Sequence, residues 1–427
     1  MTERLLQYIW QHQYFNSSEL RSTSNERIEV IYPGQYNTNQ GPDFLEAKIK
    51  IGEALWVGHI EIHVLASDWN LHQHSTDKNY ANVILHVVLE NDVDIDISSA
   101  TLELKERIPK LLLSKYQQWL NQPASIPCEK SIHLLPEISW IAWKERLLVE
   151  RLQTKTNQIF EFLEQSNNHW EETFWWLLAK NFGIKVNTVA FERMARSIPL
   201  NILSKHKNQI HQLEAILFGQ LGLLNQSFNE SYPILLQKEY EFLRKKYKLT
   251  PITESVFFLR MRPSNFPTIR VAQLAMLIHQ SSHLFSKIKE LTEVNDVKKL
   301  LDVIANDYWH YHYTFDDIKL YKEKRVGKQM IDTIIINTIV PILFAYGIYY
   351  SNDLIKEKAI SWLMKLSPEK NEIVKKYLEL NIKVESAFDT QALIHLKQHF
   401  CIQKRCLDCA VGNSILKRDI NLPNNIR

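Results

Sequence analysis

Glycine is scarce in this chain, with only 10 in 427 residues. That argues against a large doubly wound enzyme built on glycine-rich loops. There is no P-loop, no glycine fingerprint of dinucleotide-binding folds, no Gly-x-Ser-x-Gly and no His-Glu-x-x-His. A nucleotide-driven motor, a nicotinamide enzyme, a typical serine hydrolase and a zincin are therefore disfavoured. Cysteine is limited to four residues, too few for a disulfide scaffold at this length. The start Met1-Thr2-Glu3-Arg4 lacks a basic segment followed by an apolar core, so no secretory signal is read and a cytoplasmic protein is expected. The most apolar run, 330–350, carries Asp332, Asn337 and Pro341, which predicts a buried helix and no membrane span. Net charge is only +3, but it is unevenly spread. Residues 1–127 hold 10 Lys and Arg against 16 Asp and Glu, net −6, and the remainder is net +9. An acidic first part suits a cation site. A basic second part is compatible with an anionic partner, nucleic acid among them, without being a strong signature of one.

The apolar periodicity divides the chain. Leu5, Leu6, Ile9, Trp10 and Phe15 have helical spacing, and then 27–32, 43–51 and 54–66 alternate as strands do. Gly52-Glu53 predicts a hairpin between the last two, and 81–89 is a near-continuous apolar run typical of a strand covered on both faces. A further strand is expected over 101–107. Beyond Pro109 the pattern becomes helical and stays so, with no fixed-period repeat. The expected architecture is α+β: a small, mostly antiparallel sheet domain with a flanking helix over 1–127, followed by a large all-helical domain over 128–427.

The densest chemistry lies in 39–86, where five of the 16 histidines fall within 59–86. Residues two apart on a strand share a face, so His59, Glu61 and His63 point the same way. Asp43 begins the neighbouring strand after a Gly-Pro turn and can sit beside Glu61. Two carboxylates with a histidine or water suit Mg²⁺ or Mn²⁺, and a histidine-rich version of the site would suit Zn²⁺. In this reading Asp43 and Glu61 hold the metal and His63 orients or deprotonates the attacking water. His59, His72 and His74 support them or serve as alternative ligands. The competing reading makes these side chains a satisfied polar set that holds loop 67–80 onto the sheet.

The segments Asn39-Gln40-Gly41-Pro42-Asp43-Phe44, Gly58-His59-Ile60-Glu61-Ile62-His63, Asp68-Trp69 with His72-Gln73-His74, and Val83-Ile84-Leu85-His86 resemble an uncharacterised bacterial family, domain of unknown function 2851. The resemblance covers the whole chain and implies no established activity. Pro42-Asp43 and Glu61-Ile62-His63 are also similar to the PD-(D/E)XK nuclease core, with the helix over 1–15 as its preceding helix. His63 stands where lysine is usual, and no clear helix is expected between the strands at 54–66 and 81–89.

Cys401, Cys406 and Cys409 form Cys-x4-Cys-x2-Cys, and Cys128 is the only other cysteine. Thiolates two residues apart can reach one ion, so a four-cysteine site for zinc or an iron–sulfur cluster is one reading; four unrelated thiols is the other. The arrangement is similar to the staple of some DNA-processing nucleases, with a different order of spacings. Arg260, Arg262 and Arg270 flank a proline-rich turn and either clamp an anion or bond loop carbonyls. The aromatic run 308–313 suits a core better than base stacking. The function read from all this is a metal-dependent hydrolase, nuclease-like in its chemistry. The alternative is a non-catalytic scaffold whose histidine-rich sheet is structural.

Overall fold

The computed structural model describes residues 1–259, 261–281 and 283–420, with side chains through Arg418. By their contacts the residues fall into two units: Met1–Trp143 together with the segment from Leu396 onward, and Lys144–His395. The contacts thus group the cysteine-bearing C-terminal segment with the sheet, where a division at 127/128 places it with the helices.

Unit 1 opens with helix α1 (Glu3–Gln11), whose Thr2 side chain accepts from the Leu5 N–H at 3.3 Å. Its apolar stripe of Leu5, Leu6, Ile9 and Trp10 is buried. Six strands follow: β1 (Ile28–Tyr32), β2 (Gln35–Tyr36), β3 (Phe44–Ile51), β4 (Ala54–Leu65), β5 (Val83–Glu90) and β6 (Ala100–Glu103). They form one sheet in the order β1-β3-β4-β5-β6, with β2 also paired to β3. The expected hairpin is present, with Ile51 opposite Ala54 and Gly52 at φ +59° in the turn.

The sheet is mostly antiparallel, as expected, with a parallel side. Pairings among β1, β2, β3 and β4 are antiparallel, but β4–β5 and β5–β6 are parallel. A parallel return requires a crossover of about a dozen residues or more, and residues 66–82 supply it. They hold the short helix α2 (Asp68–Leu71) and two single turns of 3-10 helix, His74–Thr76 and Lys78–Tyr80. The central position of β5 accounts for its unbroken apolar run, buried from Val83 through Val88. After the sheet come helix α3 (Lys110–Asn121) and, at the far end of the sequence, the helix Ala410–Ile420 that packs against it.

Unit 2 is helical, as the periodicity predicts. Two helices, Thr188–Ser197 and Leu200–His206, were not separately expected; proline at 199 ends one and begins the other. The run Lys328–Tyr349 is long and apolar enough to cross a membrane by length and composition, and it is mostly buried within the protein. In the aromatic run, Trp309 is fully buried, His310 and His312 are buried, Tyr308 and Tyr313 are half-buried and Tyr311 is exposed.

Candidate metal centre

The first strand of the site is set by a turn. Gly41 adopts φ +107°, and the Asn37 side chain donates to the Pro42 carbonyl at 2.9 Å. Asp43 then enters β3 directly beside β4. Its backbone N–H donates to Glu61 Oε2 at 3.1 Å, and its own Oδ2 accepts from the Ile62 N–H at 3.2 Å. Its Oδ1 accepts from Gln7 Nε2 of α1 at 2.9 Å. This exchange fixes Glu61 so that its second oxygen, Oε1, faces the histidines.

The crossover supplies the rest. Asp68 pins α2 by accepting from the Leu65 N–H at 3.0 Å. His72 ends that helix, Gln73 takes the left-handed conformation at φ +60°, and His74 begins the next turn. The reversal at Gln73 brings both flanking histidines back to the sheet. His74 Nε2 lies 3.3 Å and His63 Nε2 3.6 Å from Glu61 Oε1, and His63 Nε2 is 3.2 Å from His72 Nδ1. The ligand atoms of His63, His72 and His74 all lie within 4.8 Å of one another. Behind them, His63 Nδ1 is 2.8 Å from His86 Nε2, so a proton on Nδ1 shared with His86 leaves Nε2 bare toward the cluster. Trp69 closes the apolar side, its ring 5.1 Å from His86 and 5.3 Å from His74, and Tyr80 stacks on His74 at 3.8 Å. An open cavity of about 380 Å³ lies against this edge, lined by Trp69, His74, Lys78 and Tyr80 among others. That is the size range of small-ligand sites.

Burial dominates the electrostatics. It raises the Glu61 carboxyl to about 9, with the Asp43 charge adding to the effect. It raises Asp43 to about 7, opposed by the Gln7 hydrogen bond and reinforced by Glu3. Burial drives His63 down to about 2, helped by His86, His74 and His72, and lowers His86 to about 4. His74 is lowered as well, by burial and then by His72. With no cation, the cluster therefore prefers neutral imidazoles and protonated carboxyls. His74 Nε2 and His86 Nδ1 are buried with no hydrogen-bond partner. The orphaned His74 nitrogen and the crowded carboxylates are both relieved when a divalent cation takes the place of protons.

Three of the donor separations fit such an ion. Metal–ligand bonds of about 2.0–2.2 Å arranged tetrahedrally separate neighbouring donors by roughly 3.3–3.6 Å. The three distances above, 3.2, 3.3 and 3.6 Å, match that edge length. Three imidazoles with one carboxylate favour Zn²⁺, and suit the harder Mn²⁺ less well but better than Mg²⁺, which prefers an all-oxygen shell.

Of the residues singled out in the sequence, His63, His72 and His74 are brought together, Glu61 reaches His63 and His74, and Asp43 stands beside them, bonded through both carboxylate oxygens. His59 does not join them; its Nδ1 accepts from the Glu46 N–H at 3.4 Å. Arg262 and Arg270 lie in unit 2. Arg270 is buried, bonding Gln273 Oε1 at 2.8 Å and Asn265 Oδ1 at 2.5 Å, while Arg262 is exposed. Arg260 lies outside the described residues. The four cysteines are buried thiols of unit 1. Gln7, Trp69 and Tyr80 were not assigned from sequence, and His86 was noticed without a role. A polar Gln7 inside α1's buried stripe and a histidine inside β5's apolar run were the available signals.

Residues 3–372 match the family described as Protein of unknown function (DUF2851). No curated protein and no solved structure matches the chain.

Proposed function

We propose, for a chain that belongs to the DUF2851 family and takes no assigned activity from it, that this cluster is the centre of a metal-dependent hydrolase. The observation that carries the reading is the gathering of His63, His72 and His74, their ligand atoms within 4.8 Å of one another, with Glu61 Oε1 within 3.6 Å of two of them. A divalent ion held there supplies positive charge to polarise the attacked group and to acidify water. His63, expected from sequence to orient water, is read here as a ligand, with His86 fixing its tautomer from behind. Asp43 positions Glu61 through its N–H and offers a buried carboxylate beside the donors. Substrate enters from the exposed side marked by His72 and the adjoining cavity.

Phosphodiesters are the substrate class we favour, because Asp43, just before β3, lies beside Glu61 of β4 and bonds it, as a nuclease-like carboxylate pair requires. The comparisons lend the nuclease-core resemblance no support, so the substrate class rests on this pair alone. The test is hydrolysis of bis(p-nitrophenyl) phosphate by chelator-treated protein resupplied with Zn²⁺, Mn²⁺ or Mg²⁺, in wild type and in Glu61→Gln and His63→Gln. Turnover that requires Zn²⁺ or Mn²⁺ and falls by at least about 100-fold in both variants supports the reading. Undiminished turnover in Glu61→Gln, or none with any metal, sinks it.

A further inference from the structure

The cavity of about 380 Å³ beside His74 has two walls, both in unit 1. One is the crossover, through Trp69, His74, Ser75, Lys78 and Tyr80; the other is the segment 96–98 between β5 and β6. The crossover wall is aromatic at its base. Trp69 is buried and meets Tyr80 edge-on, the ring centroids 6.2 Å apart at 82°. His74 lies nearly parallel to Tyr80, 3.8 Å away at 26°, and covers one of its faces. Tyr80 is still half-exposed, so ring surface remains open toward the cavity that it lines. The Trp69 Nε1–H donates to Ser75 Oγ at 2.9 Å, which fixes this corner of rings and leaves the Ser75 hydroxyl proton for another acceptor.

The rim is polar. The exposed side chains of Lys78 and Asp96 have no hydrogen-bond or ion-pair partner among the described residues. Asp77 lines the cavity as well, and its Oδ1 accepts from the Asn79 N–H at 2.9 Å. Two carboxylates against one ammonium repel a second phosphate. An uncharged planar ring is accepted: it stacks on Tyr80 and meets donors in Lys78 and Ser75 and an acceptor in Asp96 at its edge. A nucleobase is such a ring, and the volume has room for one base with its sugar. The placement suits the chemistry too. Tyr80 is one stacked ring away from His74, so a base on its open side lies two van der Waals layers, about 7–8 Å, from the His74 ring. That is the breadth of a sugar from a phosphate held at the histidines.

We propose that this cavity is a subsite for one unpaired nucleobase, and that the phosphodiester cleaved at the histidine cluster belongs to single-stranded nucleic acid. The inference rests on the metal-dependent hydrolase reading for the phosphate and on the cavity for the base. A base inside a duplex is stacked on both faces and paired at its edge, so it enters only after leaving the helix. A single strand offers its bases directly. In the cleavage itself, the oxygen of water bonds to phosphorus and one ester P–O bond breaks. The leaving oxygen takes one proton of that water, and the other passes to solvent.

The experiment is the affinity of full-length, zinc-loaded protein for an end-labelled DNA strand of about 12 nucleotides, read by fluorescence anisotropy in the cold before cleavage. The same strand annealed to its complement is the comparison, and a single 2-aminopurine in the strand reports stacking by its quenching. Wild type should bind the single strand at least about 10-fold more tightly than the duplex and quench the 2-aminopurine. Tyr80→Leu, which keeps apolar bulk over His74 and removes the ring, should weaken single-strand binding by about 10-fold, and Tyr80→Phe should restore it. If Tyr80→Leu does not fold, competition on wild type decides: thymidine 5′-monophosphate should displace the strand at least about 10-fold better than deoxyribose 5-phosphate. Equal affinity for duplex and single strand, no quenching, wild-type affinity in folded Tyr80→Leu, or equal competition by the two phosphates overturns the subsite. Turnover of bis(p-nitrophenyl) phosphate, followed on the same protein, tests the hydrolase reading separately. Its absence beside an intact quench would sink that reading and leave the base subsite standing.

Discussion

Glu214 in unit 2 is a buried acid that the proposed chemistry does not use. Its Oε2 accepts from Tyr232 at 2.8 Å and from Trp309 Nε1 at 3.1 Å, while Oε1 has no partner. Burial raises it to about 7, against which the two donors act. The folded state therefore keeps a proton that the unfolded chain gives up near its usual 4.5. Stability from this group is fully present below the unfolded value and is lost as pH rises toward 7, at up to about 1.4 kcal/mol per pH unit. Glu214→Gln keeps the acceptor and removes the titration. Urea midpoints from pH 5 to 7 should flatten in the variant by that slope; an unchanged slope would show that another group carries it. At this same scale, the donor residues of the candidate centre were readable because strand alternation and the His-x-His spacing expose them. His59 was not separable from them: it shares a face with His63 but stands four residues along the strand, about 13 Å away. A shared face is not a shared place, and only the crossover decides which end of the face is furnished.

At the scale of elements, the centre depends on how closely β4 and β5 run. Gly58 lets them meet: a Cβ there would come within 2.5 Å of Ile84 Cγ2 and 2.6 Å of the Asn82 carbonyl. Gly58→Ala should push the strands apart where β5 begins and cost about 1–3 kcal/mol, seen as a lower urea midpoint, with metal affinity reduced because Glu61 lies opposite His86 across that pairing. A variant with wild-type midpoint and affinity would mean the strand pair absorbs the methyl group. Four of the strands were legible to within two residues, since each alternates or runs apolar, but β2 was missed and the strand expected over 101–107 ends at Glu103. Their pairing was not. The parallel sense of β4–β5 rests on residues 66–82, whose one-turn helices are too short for periodicity to announce.

For the whole molecule, the proposed metal site falls in unit 1. Calorimetry should then resolve two transitions, of which chelation lowers only one; a ligand present at 100 times its dissociation constant contributes about 2.7 kcal/mol. The shifted transition should be the one that Gly58→Ala also lowers. Chelation that moves both transitions equally, or neither, contradicts the assignment. The helical character of residues 144–395 was plain in the sequence. Their enclosure between two parts of one unit was not, because composition reports what a segment is and not which distant segment it joins.

That enclosure has a consequence for synthesis. Arg4 of α1 binds Asp408 at 2.7 Å, 404 residues later in the chain. At about 5–20 residues per second, the ribosome spends some tens of seconds on the helices between Cys128 and Cys401. During that interval the sheet is already made, but Asp408 is not, so a chain that stops early can never fasten its first unit shut.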